Sequence, residues 1–428
     1  MRMMKLLRDQ LGAVLRPPPG FGWVPGGVHR RGATYDVGRG PRSWLFDAGA
    51  NYYVDRARPN NGGNGLTPAT AKRDIWAALN VLPFPDVGPV NLWIKSGTYD
   101  LAGGWAASSI LSRANIIATA NLATASLASW EPGRVRTTAS PLTLVWALDS
   151  GSTYAAALAA APYAVIDEAQ PTSSGAGSRL TLQASVAAVE ANPGSYHHAA
   201  GVLYVRTADS RAPDANVHAL KAVQNNGKAS LAGVSFNVFD VDFVGGSRSF
   251  YLQAGTAAVF SGCRFRYGEL EGLGAEACAD VRLFDCESDE NTRDGVAYTN
   301  VTRGLEVRCR GRRNGFSGLN IDNASSMHTG GSMVRIGGTY SDSAGINVAD
   351  VQDTRSWLLG CSISGTRSTD NSRKVNFWTE GLAYLERCTL ANNTIDLHAD
   401  QVGDVIRVWD TPYVGPLDGL GAVRVARG

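Results

Sequence analysis

Charge is scarce in this chain, and so are the features that send a protein to a membrane, a metal or a nucleotide. Asp, Glu, Lys and Arg make up 18 % of the 428 residues, below the ~25 % usual in soluble domains. They balance to a net charge of +2, which gives no global pull towards nucleic acid or an anionic membrane. No stretch reaches the ~18 apolar residues of a transmembrane helix. The longest candidate, residues 154–166, is too short and contains Pro162. The opening MRMMKLLRDQLGAVLR places Arg8 and Asp9 where a signal peptide needs an unbroken apolar run. The chain is therefore expected to be made in the cytoplasm with no obvious export route. None of the six cysteines forms a CxxC pair, which argues against a zinc knuckle. No phosphate loop, nucleotide fingerprint or Ser-His-Asp pattern is found. No metal and no cofactor are expected.

What the chain does have is a repeat. Cys263, Cys286 and Cys309 lie 23 residues apart, and each is followed nine residues later by glycine and an aliphatic residue: Gly272-Leu273, Gly295-Val296 and Gly318-Leu319. Gly345-Ile346 continues the glycine register after a step of 27, and Cys361 and Cys388 fall in two further segments of the same character. A period of this length with no helical pattern inside it marks a β-solenoid, in which each turn of chain is one rung and equivalent residues stack. The 49 glycines suit tight corners. Regular rungs are expected over residues 229–410, with Cys263, Cys286 and Cys309 stacked inward as reduced core residues.

Residues 1–50 read as a basic, Pro/Gly-rich leader. Its first 43 residues carry eight basic side chains against Asp9 and Asp36, leaving the rest of the chain mildly acidic. A short amphipathic helix is expected over residues 3–15, ended by Pro17-Pro18-Pro19-Gly20. The leader reads either as an anchor on another protein or as a solvated arm. Residues 51–135 read as an end cap and first rungs: Tyr52-Tyr53-Val54-Asp55 as a strand, a Gly/Asn loop, a helix over residues 72–82 stopped by Pro83 and Pro85, then Val90-Asn91-Leu92-Trp93-Ile94-Lys95 and Gly97-Thr98-Tyr99. Residues 136–222 break the rhythm and read as a small β-rich insertion. The remainder, 223–428, carries the regular rungs and the far end.

The order YVD, Gly/Asn loop, Gly-Leu-Thr-Pro-Ala-Thr-Ala, short helix, alternating strand and Gly-Thr-Tyr over residues 51–99 resembles the N-terminal cap of right-handed parallel β-helix proteins of the pectate-lyase-like superfamily, which includes many bacteriophage tailspikes. Lys72-Arg73 stand where that family usually has an aromatic residue. Pro193-Gly194-Ser195-Tyr196 with Gly201-Val202-Leu203-Tyr204-Val205-Arg206 is similar to a hairpin common there. The resemblance implies an all-β, right-handed parallel β-helix with an N-terminal capping helix. It further implies a homotrimer carried on a virion, made in the host cytoplasm and acting outside it.

Stacking residues by offset from the cysteine column gives candidate sites. Arg266, Asp289 and Arg312 form one column, Tyr267, Glu290 and Arg313 the next, and Asn291 and Asn314 a third. Rungs lie ~4.8 Å apart, so these columns read as a charge ladder and an amide ladder. The same stripe, if open, would suit a glycan, since carboxylates and guanidinium groups bond hydroxyls bidentately and Tyr267 or Tyr340 would stack on sugar faces. Cleavage of a glycosidic bond needs two carboxyl groups ~5–9.5 Å apart. The candidates are Glu271, Asp289, Glu290 and Asp294, with Glu271 and Asp294 sharing one offset on neighbouring rungs. A lyase would use Arg310, Arg312 or Arg313 instead. The four surplus residues between Gly318 and Gly345 are expected to bulge near Asp322 and His328, a possible acid/base pair on a displayed loop.

Three functional readings follow. The first is a spike or fibre of a phage or phage-like particle that binds host surface polysaccharide and docks on other virion proteins through residues 1–50. The second is a polysaccharide hydrolase or lyase on the same scaffold. The third is a bacterial surface or secreted β-helix.

Overall fold

The structure is a computed structural model, and it describes residues 13–18, 21, 27–31, 34–83, 88–100, 104–105, 109–140, 144–221, 224–319, 321–413 and 422–425. Its body is the expected parallel β-solenoid. Each rung contributes a strand to three faces. The first face is a nine-stranded sheet that includes Val135–Thr138, Val241–Val244, Arg264–Arg266, Glu287–Asp289, Arg310–Arg312, Thr339–Ser343, Ser362–Thr366 and Thr389–Ala391. The second holds Phe250–Leu252, Leu273–Glu276, Val296–Thr299, Ser325–His328 and Ile395–Ala399. The third holds Ala114–Thr119, Ser235–Phe239, Ala257–Ser261, Asp280–Phe284, Arg303–Val307, Ser332–Ile336 and Val405–Trp409. Val348–Leu359 and Val375–Glu386 run from the second face round the corner into the third.

The corners explain why so many polar residues interrupt the strands. One residue in the left-handed region precedes seven strands of the first face, namely Asp240, Gly262, Asp285, Arg308, Gly337, Gly360 and Arg387, and Asp410 continues the column. A second such column follows that face through Tyr267, Glu290, Arg313, Asp342, Gly365 and Asn392, and a third follows the second face through Ala254, Ala277, Asn300, Thr329 and Gln352. Left-handed backbone turns the chain sharply within one residue, at a cost of ~1–2 kcal/mol for a residue with a Cβ.

All six cysteines are buried and free. Arg264 pairs with Glu287, Glu287 with Arg310, Arg310 with Thr339, Thr339 with Ser362, and Ser362 with Thr389. The residues just before them, Cys263, Cys286, Cys309, Gly338, Cys361 and Cys388, therefore form one inward column. The glycine register needs correction. Val296 pairs with Ser325, and Ser325 with Val348, so Ala324 and Asn347, rather than Gly318 and Gly345, continue the column of Gly272 and Gly295. The surplus residues enter before Ser325–His328, and that segment is itself a strand. Gly295 has to be glycine, because a Cβ there would lie 2.6 Å from Asn314 Nδ2. The amide ladder is real and buried, with Asn291 Nδ2 donating to Asn314 Oδ1 at 3.0 Å.

Two parts of the chain wrap the solenoid. The chain leaves after Thr138 and rejoins near Lys228, since Val135 pairs with Val241 and Lys228 with Tyr251. Between them lie a five-stranded and a three-stranded sheet and the helix Val186–Ala191, laid over the first face. The leader covers the third face. The helix expected over residues 3–15 falls mostly outside the described residues, and its end, Ala13–Leu15, is a strand paired antiparallel with Val28–Arg31. Phe21, Val28 and Tyr35 pack on Leu305, Val307, Val334, Ile336 and Trp357, and Tyr35 donates to Glu386 at 2.9 Å. The described part of the leader thus covers an apolar stripe of its own solenoid, which an arm reserved for a partner would leave bare. The capping helix is Ile75–Leu79, shorter than expected.

Candidate functional site

The ten residues singled out from the sequence fall into two groups. Arg266, Tyr267, Asp289, Glu290, Arg312 and Arg313 belong to the first face and its corner, beneath the insertion. The charge ladder exists: Arg266 and Arg312 both reach Asp289 Oδ2, at 3.5 and 3.4 Å. It is not an open stripe, because the Asp289 side chain is 0 % exposed. Thr172 Oγ1 donates to Glu290 at 3.0 Å, Arg179 Nη2 to the Glu290 carbonyl at 2.6 Å, Arg312 to the Ser174 carbonyl at 2.6 Å and Tyr267 to the Gly177 carbonyl at 3.0 Å. Arg313 holds the Glu290 carboxylate at 2.6 Å. Burial raises Asp289 to about 6, against the pull of Arg266 and Arg312. These groups fasten the insertion to the solenoid. Tyr340 points inward and donates to Glu306, so it offers no face to a sugar. An open stripe was expected because a repeat shows which residues stack, while the cover comes from a segment outside the repeat.

Glu271, Asp294 and Asp322 come together at one edge of the second face, while His328 ends its strand at the other edge, paired with Thr299, so Asp322 and His328 do not form the expected pair. Phe250, Leu273, Val296 and Ser325 pair in series, so Arg248, Glu271, Asp294 and Asn323, each two residues earlier, form one column. Gly274 lets Arg248 lie flat, since a Cβ there would sit 2.7 Å from Arg248 Nε. Arg248 Nε donates to Glu271 Oε2 at 2.5 Å and Nη2 to Glu276 at 3.3 Å. Tyr251 donates to Glu276, with the Arg248 guanidinium 4.2 Å over its ring.

Asp294 accepts from the Asn323 backbone N–H and from Ser326 Oγ, both at 2.6 Å. Burial nevertheless raises its carboxyl to about 7, with Asp322 and Glu271 adding to the rise. Asp322 is bonded by Ser317 Oγ. Burial pushes its carboxyl up, and Arg293 opposes this. His328 is half-buried, and burial lowers its imidazole while Asp350 and Glu271 work the other way. Carboxyls at Glu271, Asp294 and Asp322 thus share one field, Glu271 also acts on His328, and the exposed Arg293 stands beside Asp322.

The floor next to this cluster is made of small outward residues, Gly274, Ala297, Ser326 and Ala349, in paired sequence. Tyr251 lies at one end and Trp378 at the other. Trp378 packs against His398 with ring centres 3.8 Å apart and planes tilted by 34°, and Arg373 lies 5.2 Å from its ring. Five rung steps separate Tyr251 from Trp378, about 24 Å. Sequence reasoning missed Arg248, although it lies 23 residues before Glu271 and the period reaches it. It had no means to find Trp378, because the steps of 29 between Val296 and Ser325 and between Val348 and Phe377 break the period.

No protein-family model matches this chain, and no curated protein matches it significantly. Among solved structures, XylC in complex with xylose aligns over 83 % of this chain and 68 % of its own, at 8 % identity and a TM-score of 0.55. The likeness is one of fold, the parallel β-helix seen in the sheets of this chain. Pectate lyase Pel9A aligns over 91 % of this chain and 82 % of its own, at 9 % identity and a TM-score of 0.43. The tailspike protein gp49 from Pseudomonas phage LKA1 aligns over 82 % and 72 %, at 15 % identity and a TM-score of 0.32.

Proposed function

We propose that this β-helix binds a polysaccharide along its second face and cleaves it hydrolytically, with Asp294 as general acid and Glu271 as the facing carboxylate. The observation that carries the reading is the pairing itself. Two carboxyl groups sit in one column on adjacent rungs, whose backbones lie ~4.8 Å apart; Glu271 turns towards Arg248 on the rung before and Asp294 towards Asn323 and Ser326 on the rung after, a placement we match to the ~5–9.5 Å of glycosidase carboxyl pairs. Their surroundings differ: burial lifts Asp294 to about 7, while Glu271 is held by the Arg248 guanidinium. A pair whose environments separate its members supplies an acid and a base at the same pH. Tyr251 and Trp378 mark the two ends of the small-residue floor, where aromatic faces would stack on sugar rings. XylC, which shares the fold, was solved with xylose, in keeping with a sugar ligand.

The setting we propose is a phage or phage-like particle, where the protein would serve as a host-binding spike, as a homotrimer. The tailspike-like cap motif of residues 51–99 supports this. The discriminating experiment incubates the full chain with bacterial surface polysaccharides while chain length and unsaturated ends are followed. Shortening without unsaturated ends supports hydrolysis, and Glu271→Gln and Asp294→Asn should each lower it by ~10²–10⁴-fold. Unsaturated ends would replace the hydrolase reading with a lyase. Binding without shortening would leave a pure adhesin.

A further inference from the structure

Arginine gathers where the insertion meets the corner that follows the first face. Arg312 pairs with Ser341 and Ser343 with Thr366, so Gly315, Ala344 and Arg367 stand in one column. The two small residues let the Arg367 side chain lie back across two rungs. Its Nε donates to the Asp342 carbonyl at 2.6 Å and its Nη2 to the Asn314 carbonyl at 2.8 Å. Arg179 arrives from the insertion, with Nη2 on the Glu290 carbonyl at 2.6 Å and on Thr292 Oγ1 at 3.2 Å. Both guanidinium groups lie 4.6 Å from the centre of the Phe316 ring. Their partners are carbonyls and a hydroxyl, and neither forms an ion pair among the described residues. Arg313 stands beside them and uses Nε alone, on Glu290.

Three cations here face two carboxylates. Glu290 Oε1 is engaged by Arg313, Thr172 and Ser174. Asp342 accepts from Ser341 Oγ at 3.3 Å and forms no ion pair among the described residues. Burial lowers both Arg179 and Arg367, and Arg313 and Arg179 press Arg367 further down against the pull of Glu290 and Asp342. Positive charge is thus concentrated against its own repulsion. Both Nη groups of Arg313, and Nη1 of Arg179 and of Arg367, make no hydrogen bond among the described residues, and all three side chains are half-buried. An apolar molecule would leave these donors unmet, and a cation is repelled. A carboxylate has two oxygens, enough for one fork. A tetrahedral oxyanion presents oxygens in several directions and suits guanidinium forks arriving from three segments. We propose that this corner binds a phosphate group, as the free ion or a monoester, bridging Arg179 of the insertion to Arg313 and Arg367 of the solenoid. The bound phosphate ties the insertion to the body. It does not rest on the hydrolytic reading of the second face.

The test uses the full chain at about pH 7.5, where phosphate carries close to two charges, and at constant ionic strength. Inorganic phosphate, glycerol 1-phosphate, acetate and chloride are the probes, read by titration calorimetry and by melting temperature. Inorganic phosphate should bind and raise the melting temperature saturably. Acetate should bind about tenfold more weakly, and chloride should act only by screening. Glycerol 1-phosphate binding at least as tightly as the inorganic ion assigns the site to phosphate esters, and weaker binding assigns it to the free ion. Arg313→Gln removes one fork and should weaken phosphate about tenfold. Arg367→Lys keeps the charge and removes the fork, with the same direction expected. Arg293→Gln, at an exposed arginine of the same corner, should leave the affinity unchanged. Phosphate binding no tighter than acetate, unaltered affinity in both Arg313→Gln and Arg367→Lys, or an equal loss in Arg293→Gln would each overturn the assignment.

Discussion

Asp294→Asn separates the proposed chemistry from mere packing. The wild-type carboxyl is raised by burial from 3.8 to about 7. A raised carboxyl binds its proton more tightly in the folded state than in the unfolded one. Its contribution to stability is therefore complete below about pH 4 and is lost as pH rises through about 7. A shift of just over three units corresponds to about 4 kcal/mol at 1.36 kcal/mol per unit. Near the middle of the window the slope approaches ~1.4 kcal/mol per pH unit. Asparagine does not titrate, and its amide oxygen still accepts the Asn323 N–H. Urea unfolding at a series of pH values should therefore show the variant gaining on the wild type as pH rises, by about 4 kcal/mol between pH ~4 and ~8. Glycan cleavage should fall by ~10²–10⁴-fold below about pH 7, where wild-type Asp294 holds its proton, and the gap should narrow above it. A wild type and a variant that keep the same difference in stability across the window would refute the half-buried, proton-holding Asp294, and with it the assignment of the acid.

Glu168 provides the opposite sign. Hydrogen bonds from His218 at 3.1 Å and Arg136 at 2.7 Å lower its carboxyl to about 2 against the effect of burial, so its stabilisation is present above about pH 4.5 and lost on acidification. Glu168→Gln should remove up to about 3 kcal/mol of acid sensitivity, read from the acid limb of the stability profile. Ala277 is exposed and left-handed, with φ at 52°; Ala277→Gly should stabilise by ~0.5–1 kcal/mol, and a lower melting temperature would contradict the corner geometry. Deleting residues 1–38 should bare the stripe of Leu305, Val334 and Trp357, giving dye binding and self-association. A truncated protein that stays monodisperse and dye-free would show that the leader's contacts are dispensable.

Part of this protein can be read directly from its sequence. The 23-residue spacing of Cys263, Cys286 and Cys309 specifies a rung, because identical spacing returns a side chain to the same inward position. The same period places Glu271 over Asp294, and the alternation in residues 90–95 specifies a strand. These are properties of short segments and of one repeated length, so local pattern is enough to express them. Where the rung length changes, the pattern fails. Ser325 follows Val296 by 29 residues and Val348 follows Ser325 by 23, and only the hydrogen-bond ladder shows that Ala324, not Gly318, holds the place of Gly295.

Exposure was the larger thing hidden. Asp289 and Glu290 are as polar as Glu271 and Asp294, and they stack just as regularly. The first pair lies under Thr172, Ser174 and Arg179 of the insertion, while the second stands at the edge of a face that neither wrapping segment reaches among the described residues. Which face a distant segment covers depends on contacts between residues more than a hundred positions apart, such as Thr172 with Glu290 and Tyr35 with Glu386. The sequence determined what stacks upon what. The tertiary structure decided which of those stacks meets solvent, because a cover is a long-range contact and leaves no period in the chain.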